Sequence, residues 1–454
     1  MKIQFKRYLF FLGISIALSA CTKDFLEKKP TQSTVVPVSL SDYQALLDDP
    51  NLFIYNSSPR LGALMTDDFS APDSYVKTMS DNERISYLWE PGGAGNTADW
   101  FYPYKQVFNA NIILDGLKQL DVADKNGYNS IKGAALFWRS YAFYNLLITY
   151  SKNYNKVSAD TDLGIPLRLE SDVNIKTARN SVSQGFEQII ADLKAAAQLL
   201  PLSQKHKSRP TRASAFALLA RVFLSKGDFK EAGFYADRSL SLNSSLLDYR
   251  TLDPSVARPF PAGLSESNPE ILFYSVMISS SFLRSSLVSV SQDLYKLYNK
   301  GDLRKNLYFT DNANGTIRFK GSYSGDSYFF SGITTREMYL VRAECYARDQ
   351  KPELALRDLN ELLMNRWDNS FVPLKLETSK EILQQILVER RKELVGGLLR
   401  FIDLKRLNLE DDHATVLRRI YDSRELSLPP NDSKYQFLIP EQEILASGIE
   451  QNTR

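Results

Sequence analysis

Apolar residues recur at three- and four-residue steps through much of the chain, the spacing that gathers them on one face of an α-helix. Across residues 131–150 (IKGAALFWRSYAFYNLLITY), Ala135, Trp138 and Ala142 fall on such a stripe and predict a core-facing helix. The stretch 182–200 (VSQGFEQIIADLKAAAQLL) repeats it with Phe186, Ile189, Ile190, Leu193 and Ala197. Pro201 ends it, since proline cannot donate the next helical hydrogen bond. Two more helices are predicted over 212–225 and 229–242, separated by Gly227-Asp228, which makes a helical hairpin.

That hairpin has an echo. Leu219-Ala220, Phe223, Gly227, Ala232 and Ala236 occupy the small and large packing positions of a tetratricopeptide unit, and Ala343, Tyr346 and Ala355 repeat Ala220, Phe223 and Ala232 at one constant offset. Small residues there let paired helices approach, and the aromatic fills the gap. A second hairpin is therefore expected over 335–347 and 352–364, with Cys345 as a small packing residue.

Two stretches break the helical pattern. Residues 51–97 contain MTDDFSAPDSY and WEPGGAGNT, and residues 246–334 are rich in Ser, Pro, Gly and Tyr with strand-like runs at 271–278 (ILFYSVMI) and 316–320. The pattern as a whole predicts a mainly α fold: a tetratricopeptide-like scaffold of helical hairpins with long irregular loops and a few short strands. Binding chemistry is expected in the loops, because the helices are committed to packing.

The start of the chain follows another logic. Lys2, Lys6 and Arg7 precede an apolar run over 8–20, and Leu18-Ser19-Ala20-Cys21 ends it. This is the layout of a secretory signal peptide over 1–20. The run is about 13 residues, short of the roughly 18 to 20 that span a bilayer as a helix. The tetrad fits the lipobox of bacterial lipoproteins, in which the cysteine thiol receives a diacylglyceryl group, so Cys21 is the expected lipidation site. Each buried methylene contributes about 0.8 kcal/mol, and two or three chains anchor firmly. Residues 22–34 (TKDFLEKKPTQST) read as a flexible tether, leaving 35–454 as one domain with helical hairpins near 131–242 and 335–407 and a loop-rich insertion near 246–334.

Composition narrows the functions. At 43% hydrophobic, the 454-residue chain can build a large core. The formal charge of +3 vanishes when the three signal-peptide cations are removed, which leaves 53 basic against 53 acidic side chains and no footprint for nucleic acid. With Cys21 lipidated, Cys345 has no disulfide partner. His206 and His413 lie far apart and in no ligand spacing, so no metal site or histidine-based nucleophilic triad is expected, and no cofactor is implied. Gly92-Gly93-Ala94-Gly95 lacks the preceding strand and following Lys-Ser/Thr of a phosphate loop and reads as a plain loop.

Several segments, in order, carry a resemblance. Residues 135–141 (ALFWRSY) look like an A-x-F-x-R-A-aromatic helix, and Gly164-Ile165-Pro166-Leu167 stands where a G-x-P-L element is usual. Residues 190–193 (IADL), Leu200-Pro201, 212–224 (RASAFALLARVFL) and 338–344 (MYLVRAE) follow. The most specific is 389–406, ERRKELVGGLLRFIDLKR. With these, the chain resembles the SusD/RagB family of outer-membrane nutrient-binding lipoproteins of Bacteroidetes. It departs from the family pattern at Gly397 and Leu398, where an acidic residue and the turn glycine are usual, so the turn is expected to shift by one residue. Near the end Ile439-Pro440 and Gln451-Asn452 match, but Thr453-Arg454 replace a Pro-Gly-aromatic finish. Glu389, Arg391, Glu393, Arg400, Asp403 and Arg406 alternate in sign, as structural ion-pair networks between packed helices do, and are read as structural rather than catalytic.

The resemblance implies an outer-membrane, lipid-anchored, surface-exposed protein without enzymatic activity. It would capture an oligosaccharide or peptide and deliver it to a SusC-like TonB-dependent transporter. Aromatics form 12% of the chain, and their flat faces suit the apolar C–H faces of sugar rings. Candidate ligand contacts are Trp89, Trp100 and Tyr102 around the glycine-rich loop, Asp67 and Asp68 as acceptors, and Tyr323 and Tyr328 in the later loops. The alternatives are a tetratricopeptide-type adaptor for a protein partner on the outer membrane and a glycoside hydrolase using Asp67-Asp68 as half of its carboxyl pair.

Overall fold

A computed structural model describes residues 37–92, 95, 97–264, 267–312, 315–320 and 323–454. The signal peptide, Cys21, the tether and Gly93-Ala94 lie outside the described residues. Among the described residues nine principal helices form the scaffold: α1 (Thr97–Leu117), α2 (Lys125–Tyr150), α3 (Val182–Leu199), α4 (Arg212–Lys226), α5 (Phe229–Leu240), α6 (Thr335–Arg348), α7 (Pro352–Met364), α8 (Ser379–Glu393) and α9 (Leu399–Leu407). The fold is mainly α, as the apolar periodicity predicts. Among the described residues no helix is long and apolar enough to cross a membrane.

Local chemistry sets the helix ends. Capping boxes start α3 (Ser181 with Gln184), α4 (Thr211 with Ser214) and α8 (Thr378 with Glu381), each satisfying two N–H groups that the helix leaves open. Gly227 stops α4 in the left-handed region at φ 76°, which turns the chain directly into α5. Helix α2 begins earlier than the apolar stripe suggests, capped by Asp124, and every residue from Gly133 to Tyr150 is buried. It is the central helix, covered on all sides rather than on one face.

The helices pack in chain order, and α5 lies directly against α6. The two hairpins thus form one continuous stack, and everything from residue 241 to 334 leaves it and returns at a single seam. Ala220, Ala232, Ala343 and Ala355 are fully buried at the expected close approaches. A Cβ on Gly233 would sit 2.9 Å from that of Cys345, so the cysteine is a packing residue in the α5–α6 contact. Burial pushes its thiol pKa up, away from a reactive thiolate.

The two irregular stretches are more ordered than their composition suggests. The first holds short helices at Leu61–Met65, Asp73–Val76 and Asp81–Leu88. The second forms antiparallel pairs, Ile271–Phe273 with Ile333–Thr334 and Phe309–Asp311 with Ile317–Phe319. Only three residues of the 271–278 run join a ladder; beyond it, Val276 and Met277 make isolated bridges to Phe330 and Ser58. Phe69–Ser70 pairs with Ser289–Val290, which joins the two stretches, and together they bury a second core including Leu64, Val76, Tyr87, Phe282, Tyr298 and Tyr308.

The segment 389–406 ties these parts together. Glu389 and Glu393 accept from Arg304 at 2.6 and 2.9 Å, and Glu393 also accepts from Arg366 at 2.8 Å. Arg390 and Arg406 share Asp403, and Arg406 reaches Glu344 of α6 at 2.6 Å. Arg391 and Arg400 hold Asp67 at 3.0 and 2.9 Å. Lys405 is also buried and donates to the Ile148 and Ser151 carbonyls, and burial holds its amine down at about 7. The turn differs from the expected one-residue shift: the left-handed position is Gly396, at φ 84°, two residues before Leu398. The C-terminal Asn452 donates to the Tyr150 and Phe437 carbonyls, pinning the tail to the end of α2.

Burial raises the pKa of Glu344, but Arg406 and Arg348 more than offset it and hold the carboxyl at about 2. Glu393 stands at about 2 for the same reason, with Arg366 and Arg304 opposing burial. Both values lie below the ordinary glutamate range, so the unfolded chain binds protons more readily than the folded one. The stabilisation is complete above the ordinary pKa and is lost as pH falls toward the folded value. The urea midpoint should therefore drop steadily between about pH 5 and about pH 2, and a midpoint flat over that range would contradict the network.

Candidate functional site

Most of the residues singled out as ligand contacts have partners inside the protein. Asp67 accepts two hydrogen bonds from Arg400, both at 2.9 Å, and Asp68 accepts from Arg391 at 2.9 Å. Burial opposes ionisation of Asp67, yet Arg400 and Arg391 hold its carboxyl well below the usual range, while burial pushes Asp68 up. Trp89 is 3% exposed; its indole N–H donates to the Met65 carbonyl at 2.9 Å, and the Arg419 guanidinium lies 4.8 Å from its ring centroid. Tyr323 is 5% exposed, its hydroxyl donating to Glu270 while Arg336 stacks 3.5 Å from the ring centroid. Neither ring offers a face to a sugar in this conformation. Trp100 packs on Tyr104 and Tyr150. Tyr102 and Tyr328 are half-buried, with Tyr328 against Tyr55.

A different set of residues forms an open cleft where the two irregular stretches meet. It encloses about 280 Å³, with Phe69 from the first stretch and Arg258, Arg284, Ser285, Arg318, Phe319, Lys320, Asp326, Ser327 and Phe329 from the second. Phe319 and Phe329 stack with centroids 6.0 Å apart and planes at 28°, and Phe69 meets Phe319 edge-on. Both stacked rings are half-buried, leaving apolar surface beside the polar rim. Gly396 explains part of this placement. A Cβ there would come within 2.8 Å of the Phe319 ring, so the turn of the signature segment supports the aromatic platform from behind. Periodicity cannot reveal such a site, because its residues come from loops as far apart in the chain as Phe69 and Phe329.

A second, larger cleft of about 710 Å³ runs along α1. Trp100 and Tyr104 line it, Phe101 and Phe108 stand 52% and 39% exposed at its edge, and Arg168, Glu170, Asp172 and Glu443 face them. Its chemistry is an apolar strip with three carboxylates against Lys105 and Arg168, whereas the loop cleft concentrates hydrogen-bond donors around stacked rings.

Family models match two long segments. Residues 24–224 match a family described as starch-binding and associating with the outer membrane, and residues 334–444 match the SusD family. The chain belongs to the SusD/RagB family. A curated SusD-like protein P2 of Formosa agariphila is 31% identical over 208 residues, a match that spans 44% of this chain and 36% of the relative's length. Among solved structures, a sugar-binding protein of Bacteroides vulgatus superposes with a TM-score of 0.75 at 24% identity, covering 92% of this chain and 99% of that one. A SusD superfamily protein of Bacteroides thetaiotaomicron gives 0.74 at 22% identity, covering 92% and 100%. At these identities the superpositions speak for the fold. In this SusD/RagB chain every lining residue of the loop cleft except Phe69 falls between the two matched segments.

The burial of Trp89 makes a definite expectation for its removal. Trp89→Ala should cost about 3 to 5 kcal/mol of stability, as large aromatic truncations in cores do. Chemical denaturation measures this directly, and an unchanged unfolding midpoint would show that the indole is not packed as described.

Proposed function

We propose that this SusD/RagB protein captures oligosaccharide at the cell surface in the loop cleft, without turning it over, and passes it to a TonB-dependent outer-membrane transporter. The observation that carries the reading is the pairing of a half-exposed Phe319–Phe329 platform with a rim of polar side chains. Sugar rings present apolar C–H faces and hydroxylated edges, and this cleft meets both needs. The fold's likeness to a sugar-binding protein and the starch-binding description of the matching family support the same reading. Capture without hydrolysis is supported by Asp67 and Asp68, whose carboxylates are engaged by Arg400 and Arg391 rather than facing a cleft. Anchoring through a lipidated Cys21 would hold the cleft near the barrel it serves.

One ring stacked on one aromatic hides on the order of 50 to 100 Å², which contributes roughly 1 to 2.5 kcal/mol. Micromolar binding needs about 8 kcal/mol, so several subsites must act together. The exposed Phe101 and Phe108 favour a second reading in which the α1 cleft holds the glycan instead.

Calorimetric titration with a panel of neutral and charged oligosaccharides tests the site. Phe329→Ala should weaken binding of the recognised glycan by about fivefold to seventyfold, with Phe101→Ala and Phe108→Ala close to wild type. The reverse pattern would move the site to α1. Anchoring is tested separately: Cys21→Ser should abolish labelling by a fatty-acid analogue and release the protein from the outer-membrane fraction. Retained label would exclude Cys21 as the attachment point.

A further inference from the structure

The loop cleft is electrically unlike the rest of the chain. Its lining carries four cations, Arg258, Arg284, Arg318 and Lys320, against one carboxylate, Asp326. The protein overall has 56 basic and 53 acidic side chains, so this local excess does not reflect a basic composition. Pairing sharpens the contrast. In the interior, Arg221, Arg304, Arg366 and Arg406 each have a carboxylate within 2.8 Å. In the cleft, only Arg258 has one within 4 Å among the described residues, and its contact with Asp326 is long at 3.4 Å, with both side chains about half exposed. Arg284 donates to the Ser279 hydroxyl at 3.3 Å, and the Lys320 ammonium caps the carbonyls of Pro254 and Asn306. Arg318 is exposed beside the Phe319 platform.

Resting on the glycan-capture reading, we infer that the preferred ligand is an anionic oligosaccharide, one bearing carboxylate or sulfate groups. Guanidinium groups match both oxyanions with two parallel N–H donors, and a bond to a charged acceptor is about twice as strong as a neutral one. Among the described residues Arg284 and Arg318 have no carboxylate within 4 Å, whereas Lys320 already has Asp253 nearby, so a neutral sugar would leave two guanidinium groups without a charged acceptor that an anionic one supplies. The stacked rings receive the sugar face, and Arg284, Arg318 and Arg258 receive the charged substituents. Arginines that sit in solvent also draw an anion in over a Debye length, so both affinity and association rate should depend on salt.

The test uses the soluble protein lacking its signal peptide and lipid, with oligogalacturonate, a sulfated galactan oligosaccharide, maltoheptaose and a poly-glutamate peptide as probes. One or both anionic glycans should bind at least tenfold more tightly than maltoheptaose, and the affinity should fall as sodium chloride rises; which one binds distinguishes carboxylate from sulfate. The double variant Arg284→Ala/Arg318→Ala should weaken that binding by about tenfold or more and flatten its salt dependence, with a clearly smaller loss for any maltoheptaose binding; equal losses for both glycans would overturn the anionic preference. Both side chains are exposed, and an unaltered urea midpoint checks that the fold is intact. Equal or tighter binding of maltoheptaose that is lost in Phe329→Ala would overturn the anionic preference and leave glycan capture in the loop cleft standing. Tighter binding of poly-glutamate than of any glycan would assign the cleft to acidic peptides, and failure of every glycan to bind would remove the capture reading and this inference with it.

Discussion

The structure depends on one buried ion-pair system, centred on residues 389–406. Charges taken out of water are costly, and their mutual attraction offsets that cost only when every partner is present with good geometry. Here each member reaches a different part of the chain. Glu389 and Glu393 bind Arg304 in the insertion, Arg391 and Arg400 bind Asp67 in the first irregular stretch, and Arg406 binds Glu344 on α6. A segment of two short helices thereby joins the helical stack to both loop regions. Breaking one contact of such a clamp would leave a buried charge without its partner, which costs several kcal/mol.

The position of the cleft follows from that clamp. Its walls come from Phe69, two residues from the Asp67 anchor, and from the insertion, which Arg304 fastens to Glu389 and Glu393. The seam between α5 and α6 sets where the insertion emerges, and the short ladder between Phe69–Ser70 and Ser289–Val290 sets how the two stretches meet. Gly396 then brings the signature turn against Phe319. These loops are therefore held in place by the fold, so the ordering entropy of the cleft walls is met in folding rather than on binding a ligand.

The division of labour along the chain has a physical basis. The matched segments 24–224 and 334–444 contain the helical stack apart from α5 and the end of α4, and most of the clamp, whereas the cleft's charged side chains lie between them. Changes in cleft chemistry need not disturb the scaffold, since Arg284 and Arg318 are exposed and have no ion pair among the described residues. Family membership thus speaks for the architecture, and the ligand must be read from the charges and rings of this particular chain.

The helices were legible in the sequence because their signals are local. A 3.6-residue apolar period, a capping box at Ser181 or a glycine stop at Gly227 acts within one or two turns and needs no distant partner. The alternating charges of 389–406 likewise announced an ion-pair network, although their partners could not be named. The ligand candidates chosen from local loop chemistry fared differently: Trp89 and Tyr323 look like exposed platforms by composition, yet each has one polar atom satisfied within the core and a guanidinium over its ring. Whether an aromatic faces solvent is decided by what packs on it: Arg419 reaches Trp89 from a remote segment, and Arg336 reaches Tyr323 from the start of α6. The sequence by itself determined the helical hairpins, the compensated charges and the family. Only the tertiary structure decided that Phe319, Phe329 and four cations share one cleft, because that juxtaposition is made by long-range ion pairs and strand pairings that leave no periodic trace in the chain.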